Sequence, residues 1–224
     1  MDPRLENPIW HALVTEQAGL AERAGAAARF PPAMTALGAL AEPTAGAFAE
    51  LAGLVAPGDV IGILLEEELE LPPRLAFVDE AAVLQMVHDG SVPPVAEPLE
   101  VLSHADNTAM IELATLTKPG PFSTRTAELG TFLGIREAGA IVAMAGQRMR
   151  LPGLIEISAV CTHPSQAGRG LAARLVAAQL ALVHGEGAGA FLHVRGDNAR
   201  AIALYERLGF VGRRTYRYRV LRAR

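Results

Sequence analysis

Residues 154–180, L-I-E-I-S-A-V-C-T-H-P-S-Q-A-G-R-G-L-A-A-R-L-V-A-A-Q-L, constrain the fold more than any other stretch of the chain. An alternating apolar run over 154–162 stops at His163-Pro164, passes through Gly168-Arg169-Gly170 and continues to about His184 as an Ala/Leu-rich segment. That pattern predicts a strand that runs through a glycine loop directly into a helix. Several backbone amides then converge at the helix N-terminus, where unpaired N–H groups and the helix dipole favour an anion such as phosphate. Gly168 and Gly170 permit close approach and left-handed dihedrals. The loop lacks G-x-x-x-x-G-K-[ST], so nucleotide hydrolysis is not supported, and it lacks G-x-G-x-x-G, which argues against a dinucleotide site. A G-x-G loop before a helix is also the pattern of an ordinary tight turn, and only its surroundings separate the two.

Those surroundings read as an α/β (α+β) chain. Residues 9–29 are Ala-rich with scattered Glu and Arg and predict a helix that Pro31-Pro32 stops. A second helix is predicted over 44–55 and a buried strand over 60–65, followed by an acidic run from Glu66 to Glu70 that returns the chain to the surface. Residues 75–87 fit either a strand pair or a strand and a short helix. The stretch 89–98, with Gly90 and three prolines, reads as a linker and divides an acidic α/β segment, 1–96, from the rest, 97–224. After it come a strand at 98–102, a helix from Asp106 to about Leu116, and a hairpin of 131–136 with 140–148. The strand-loop-helix unit follows, then a strand at 190–195, a helix at 198–208, and one or two strands over 210–221. The order predicts a mixed sheet with helices on both faces. No repeat of period 20–50 is visible.

The single cysteine, Cys161, cannot form an intramolecular disulfide, and no Cys/His cluster has zinc spacing. The opening residues M-D-P-R-L-E-N-P carry early acids and no apolar core of a signal peptide, and no window approaches the about 18 uncharged apolar residues of a membrane span. A cytoplasmic protein without a membrane partner is therefore expected.

Charge is unevenly distributed. Residues 1–96 hold 14 acids against 4 arginines, a balance of −10, whereas residues 97–224 hold 10 acids against 15 arginines and Lys118, a balance of +6. The split suggests that the second part meets something anionic. Nucleic acid is not the expected partner. In the tail R-R-T-Y-R-Y-R-V-L-R-A-R, Tyr216, Tyr218 and Val220 alternate with Arg217 and Arg219, as a half-buried edge strand with a charged outer face requires.

V-C-T-H-P followed by Q-A-G-R-G-L-A resembles the acetyl-CoA loop of the GNAT superfamily of N-acyltransferases, whose pattern Arg/Gln-x-x-Gly-x-Gly/Ala falls here on Ala167, Gly170 and Ala172. The first position departs from the pattern: it is Ala, with Gln166 one residue earlier, which removes one side-chain contact to a pyrophosphate that Arg169 could supply instead. A second motif, N-x-x-A-x-x-L-Y-E-x-L-G-F, is met by Asn198, Ala201, Leu204, Tyr205, Glu206, Leu208, Gly209 and Phe210. Two motifs in this order, one strand apart, are far more specific than either alone. The resemblance covers about residues 97–224, and T-K-P-G-P-F-S-T-R-T-A-E-L-G-T-F-L-G-I-R-E-A-G is similar to the bacterial branch related to glycine N-acyltransferases. By analogy of layout, residues 1–96 would be a degenerate half-domain covering one side of the acceptor site.

The resemblance implies a GNAT-like sheet whose splayed strands admit the pantetheine arm of acetyl-CoA, the implied cofactor. Val160, Cys161 and Thr162 would bond that arm through their backbone. Ala167, Gly168, Arg169, Gly170, Leu171 and Ala172 would hold the pyrophosphate, and Asn198 would contact the arm. Tyr205 would protonate the departing thiolate, Glu156 would take a proton from a primary amine, and a strand amide could stabilise the oxyanion.

The residues themselves are compatible with these roles and with plainer ones. On a strand, Glu156, Ser158, Val160 and Thr162 share a face and Cys161 takes the other. On the following helix Asn198, Ala201 and Tyr205 form one stripe. Tyr205 could be a core tyrosine, Glu156 could pair structurally with an arginine such as Arg195, and Cys161 is expected to be a small buried residue, not a nucleophile. His163, His184 and His193 read as loop or packing histidines. Arg125 could bind an acceptor carboxylate or simply face solvent. The acceptor could be a small amine or amino acid, which a closed pocket with a basic anchor would favour, or a protein N-terminus or lysine, which an open acidic cleft would favour. A non-catalytic acyl-CoA-binding module is the reading outside enzymology.

Overall fold

The computed structural model describes residues 2–66, 71–91 and 98–224. Eight strands form the main sheet: β4 (Val60–Leu65), β5 (Leu75–His88), β6 (Glu100–Leu102), β7 (Phe132–Glu137), β8 (Ala140–Leu151), β9 (Leu154–Thr162), β10 (Gly189–Arg195) and β11 (Phe210–Ala223). A three-stranded sheet, β1 (Glu22–Ala24), β2 (Ala27–Arg29) and β3 (Gly38–Leu40), packs with the helix α2 (Ala45–Leu54). The other helices are α1 (Pro8–Val14), α3 (Asn107–Thr117), α4 (Leu171–Gly185) and α5 (Ala199–Arg207).

The main sheet runs β4-β11-β5-β10-β9-β8-β7-β6. Its two faces follow from the period-two alternation of side chains. On β10, Phe191 packs against Leu5, Ile9 and Leu13 around α1, while Ala190, Leu192 and Val194 pack against Val176, Leu180 and Val183 of α4. On β7, Phe132 meets Met110 and Leu113 of α3, and Leu133 meets Leu171 and Leu175 of α4. Helices α1 and α3 thus cover one face and α4 with α5 the other, as expected.

The expected split at residue 96/97 falls among residues 92–97, outside those described, and the flanking strands do not form separate units. β5 lies inside the main sheet, paired antiparallel with β10 and β11, and β4 pairs with β11. The first part of the chain therefore completes the sheet of the second. This pairing also corrects the reading of the tail: β11 is one continuous strand between β4 and β5, not an edge. Its arginines meet acids of the first part: Arg213 and Arg214 contact Glu6, Arg214 also contacts Glu66, and Arg219 Nε donates to Glu80 at 2.6 Å. Much of the charge asymmetry is thus satisfied within the molecule.

The helix expected over 9–29 is real only for α1. Beyond it the chain forms a 3₁₀ turn and the β1–β2 hairpin, whose turn needs Gly25 at φ 52°. Ala-rich composition favours helix only weakly, and here Ala27 and Ala28, both fully buried, serve as small residues on a strand packed under α2 and α1. Residues 75–87 take neither of the two expected forms, but belong to one 14-residue strand, Leu75–His88.

Candidate functional site

β9 and β10 are parallel neighbours, and their register covers only Leu154–Ile155–Glu156 against Gly189–Ala190–Phe191. Beyond it β9 stays with β8, reaching Thr162 opposite Ala143, while β10 stays with β5, reaching Arg195 opposite Val83. The two strands therefore diverge and leave a gap in the middle of the sheet.

A cavity of about 400 Å³ opens at this gap, lined by Val160, Cys161 and Thr162 of β9, the loop at Ala167, Gly168 and Gly170, the first turn of α4, and Asn198, Ala201 and Tyr205 at α5. Gly168 at φ 84° and Gly170 at φ 75° take the left-handed conformation that the sequence suggested, and Gly170 caps α4. The first amides of α4, at Leu171 and Ala172, thus begin at the cavity wall as orphan donors. The Thr162 hydroxyl is buried with no hydrogen-bond partner. Asn198 sits at the N-cap of α5, where its Oδ1 accepts from the Ala201 amide at 3.1 Å, leaving its Nδ2 for a ligand.

Tyr205 is 8% exposed, packs edge-on to Phe210 and lines the same cavity. Burial pushes its phenol up to about 12, so it stays protonated at any working pH. Cys161 is buried beside Thr117, and burial pushes its thiol up to about 11; as expected, it is no thiolate nucleophile.

Two expectations fail at this end of the site. Arg169 lies off the cavity wall, paired with Glu137 and Gln166. And Glu156, Ser158, Val160 and Thr162 do not share a face. Ala159 adopts φ 51° and the β8 register jumps from Met144–Cys161 to Gly146–Ser158, a bulge that reverses the alternation. Ile155, Ile157 and Val160 therefore pack together beneath α4, and Cys161 packs with Met110 and Met144 beneath α3.

Glu156 is fully buried. Its Oε2 accepts from Arg148 Nε at 2.8 Å, and its Oε1 accepts from Arg148 Nη2 at 2.6 Å and from His193 Nδ1 at 2.8 Å. The structural partner is Arg148, not Arg195, which pairs with Asp197 instead. Burial alone would raise the Glu156 carboxyl, but the Arg148 guanidinium and the His193 hydrogen bond outweigh it and hold the group at about 2. His193 is no mere packing histidine. Gln85 Oε1 accepts from Arg213 at 2.9 Å and its Nε2 donates to the Leu5 carbonyl, which fixes the amide so that Nε2 also faces His193 Nε2, at 3.2 Å. The ring is thereby set with its proton on Nδ1.

A second cavity, about 230 Å³, lies on the α1 and α3 face and is lined in part by Lys118, Arg148, His193, Arg195 and Tyr218. His193 and Arg195, on β10 beyond its register with β9, line this cavity, and Val160 to Thr162, on the diverged part of β9, line the first, so the two flank the same divergence.

Comparisons with known proteins agree with this geometry. A GNAT-family protein from Novosphingobium aromaticivorans is 38% identical over the whole of both chains and superposes with a TM-score of 0.93. This chain belongs to the GNAT family of acetyltransferases. The family model described as FR47-like protein matches residues 132–220, and a GCN5-related N-acetyltransferase from Kribbella flavida, 19% identical over 95% of each chain, shares the fold with a TM-score of 0.60. No curated protein matches the sequence. As a GNAT protein, the chain is an acyltransferase. No helix among the described residues is long and apolar enough to cross a membrane.

Sequence reasoning missed several groups of this GNAT site. Arg200 and Arg207 line the first cavity and carry the cationic charge that Ala167 and Arg169 do not. Their signal was present: Arg200, Leu204 and Arg207 form a helical stripe beside the one that holds Tyr205. Arg148 and His193 had no such signal, because β8 and β10 bring them to Glu156 only in the folded sheet. Arg125 pairs with Glu128 on the surface and lines neither cavity.

Proposed function

We propose that this chain transfers an acetyl group from acetyl-CoA to a primary amine, both bound at once on either side of the gap between β9 and β10. The cavity at the gap carries this reading, because the diverged end of β9 at Val160 to Thr162, the left-handed glycines before α4, Asn198 and Tyr205 line it together. Val160 to Thr162 would hold that arm, the amides at residues 168–172 and the guanidiniums of Arg200 and Arg207 would hold the phosphates, and Asn198 would contact the arm through Nδ2. Acetyl-CoA supplies the activated acetyl thioester. The amine nitrogen forms the new bond to carbon as the bond to sulfur breaks.

Tyr205 holds a proton on Oη for the departing sulfur and regains one from solvent. Its raised pKa keeps it a standing donor. Glu156 is assigned no proton transfer, contrary to the role the resemblance implied. A carboxylate at about 2 is a feeble base for an amine, since an efficient base titrates near the working pH, and its oxygens already accept three bonds. The amine gives its proton to water, so that the free-base fraction sets the rate.

The test is calorimetric titration with acetyl-CoA followed by turnover with a panel of primary amines. Binding with turnover, lost on Tyr205→Phe while acetyl-CoA affinity is kept, is the expected result. Binding without turnover of any amine would make the chain an acyl-CoA-binding module, and absence of binding would remove the assignment of the cavity.

A further inference from the structure

The second cavity has a chemical character that the first does not. Among the described residues, three side chains on its wall, Lys118, Arg148 and Arg195, are cations, and none is a carboxylate. Their charges are unequally matched. Arg195 is offset by Asp197, and Arg148 is offset by Glu156 behind it, whereas Lys118 has no ion-pair partner among the described residues. Arg195 also lies in the field of Asp79, so it is Lys118 that a negative charge on a ligand would pair.

Arg148 supplies direction as well as charge. Its pair with Glu156 uses Nε and Nη2, the two donors on one side of the guanidinium. Nη1 takes no part in it and has no partner among the described residues, although Arg148 is only 12% exposed. A buried guanidinium held rigidly on one edge leaves its other edge ready to donate to an anion without further loss of side-chain freedom. The holding network is long: Arg213 orients Gln85, Gln85 orients His193, and His193 and Arg148 share the Glu156 carboxylate. The wall also has an apolar part, at Ile9, Leu37, Leu64 and Met149. Cations, an apolar part of the wall and a volume of about 230 Å³ suit a small molecule, not a peptide segment.

Resting on the transfer reading above, we propose that this cavity takes an amine that also bears a carboxylate, bound by Arg148 Nη1 and Lys118, and that Glu156 and His193 are positioning residues that fix Arg148. A carboxylate offers two oxygens, one for Arg148 Nη1 and one for Lys118. The amine of such a molecule would then face the divergence of β9 and β10, where His193 and Arg195 line the same cavity.

The test is calorimetry of the full chain with alanine, leucine and phenylalanine against their methyl esters, followed by the same panel in turnover with acetyl-CoA. Each acid is expected to bind about 10- to 100-fold more tightly than its ester, the span of one charge-assisted hydrogen bond. Arg148→Met alone strands the Glu156 charge, so the informative variant is Arg148→Met with Glu156→Gln, which keeps the interior neutral. That double variant should abolish the discrimination, and Lys118→Met should reduce it, with ester affinity unchanged in both. In turnover the loss should appear in KM, not kcat. Equal affinity for acid and ester, or discrimination that survives the double variant, overturns the proposal. Turnover indifferent to the carboxylate leaves acetyl transfer standing and removes this site, whereas selective binding without any turnover supports the site and removes the transfer.

Discussion

The two cavities on either side of the divergent strands are built in opposite ways. The wall of the first comes from residues 160–207, consecutive elements joined by short loops. The wall of the second draws on Ile9, Leu37, Leu64, Val83, Lys118, Arg148, His193 and Tyr218, spread over almost the whole chain. One is a local device, in which backbone amides and one tyrosine are delivered by a strand, a loop and two helices. The other exists only because β4, β5 and β11 have joined the sheet. The cavity that would hold the common reagent is thus a cassette, and the one that would select the acceptor is assembled from remote parts.

The sharpest way to break this contrast is to damage each side separately. Tyr205→Phe should lower kcat by about 10²- to 10⁴-fold, the usual worth of a positioned proton donor, while acetyl-CoA affinity measured by calorimetry and the denaturation midpoint stay close to those of the parent. On the other side, Arg148→Met should act first on folding. It leaves Glu156 buried without its cation, held by the His193 hydrogen bond alone, and denaturant melts should show a loss of about 3–5 kcal/mol, most of it recovered when Glu156→Gln is added. Recovery that fails to appear would mean the pair is not the closed unit described.

The same pair predicts a pH signature. Because the folded pKa of Glu156 lies below the unfolded value of about 4.5, its contribution is complete above that value and disappears as pH falls towards about 2. Stability measured by urea melts should therefore drop across this window, and Glu156→Gln should flatten the drop. Conversely, kcat/KM should rise with pH as the amine loses its proton, with no inflection in the acid range from Glu156.

A smaller effect is expected at the loop. Gly170→Val forces a branched side chain into φ 75°, at about 1–2 kcal/mol, and should weaken acetyl-CoA at least about fivefold by calorimetry while leaving carboxylate discrimination intact. Least of all, Arg125→Ala removes an exposed pair with Glu128 and should change stability by less than about 1 kcal/mol and leave KM for every acceptor unchanged.

The legibility of the site follows the same division. The strand at 154–162, the loop glycines, α5 and Tyr205 were readable because their information is local: a period of two, two glycines needing left-handed dihedrals, and a helical stripe. Glu156 was found as an acid on an otherwise apolar strand, but its partners were not. Periodicity cannot show that Ala159 bulges, nor that Arg148 and His193 arrive from neighbouring strands. The Ala-rich residues after α1 were misread for a similar reason, since a small side chain suits a helix or a tightly packed strand equally until its neighbours are known.

By itself, then, the sequence determined the strand-loop-helix cassette, the mixed sheet with helices on both faces, and the separation of acidic and basic segments along the chain. Tertiary structure decided what those charges do. It laid β11 between β4 and β5, so that Arg213, Arg214 and Arg219 meet Glu6, Glu66 and Glu80 across distances of more than a hundred residues. It also turned Glu156 from a candidate base into the anchor of Arg148. The physical reason is that dihedral preferences and amphipathic periods act within a few residues, whereas an ionisable group takes its chemistry from whatever charge the finished fold places within hydrogen-bonding distance.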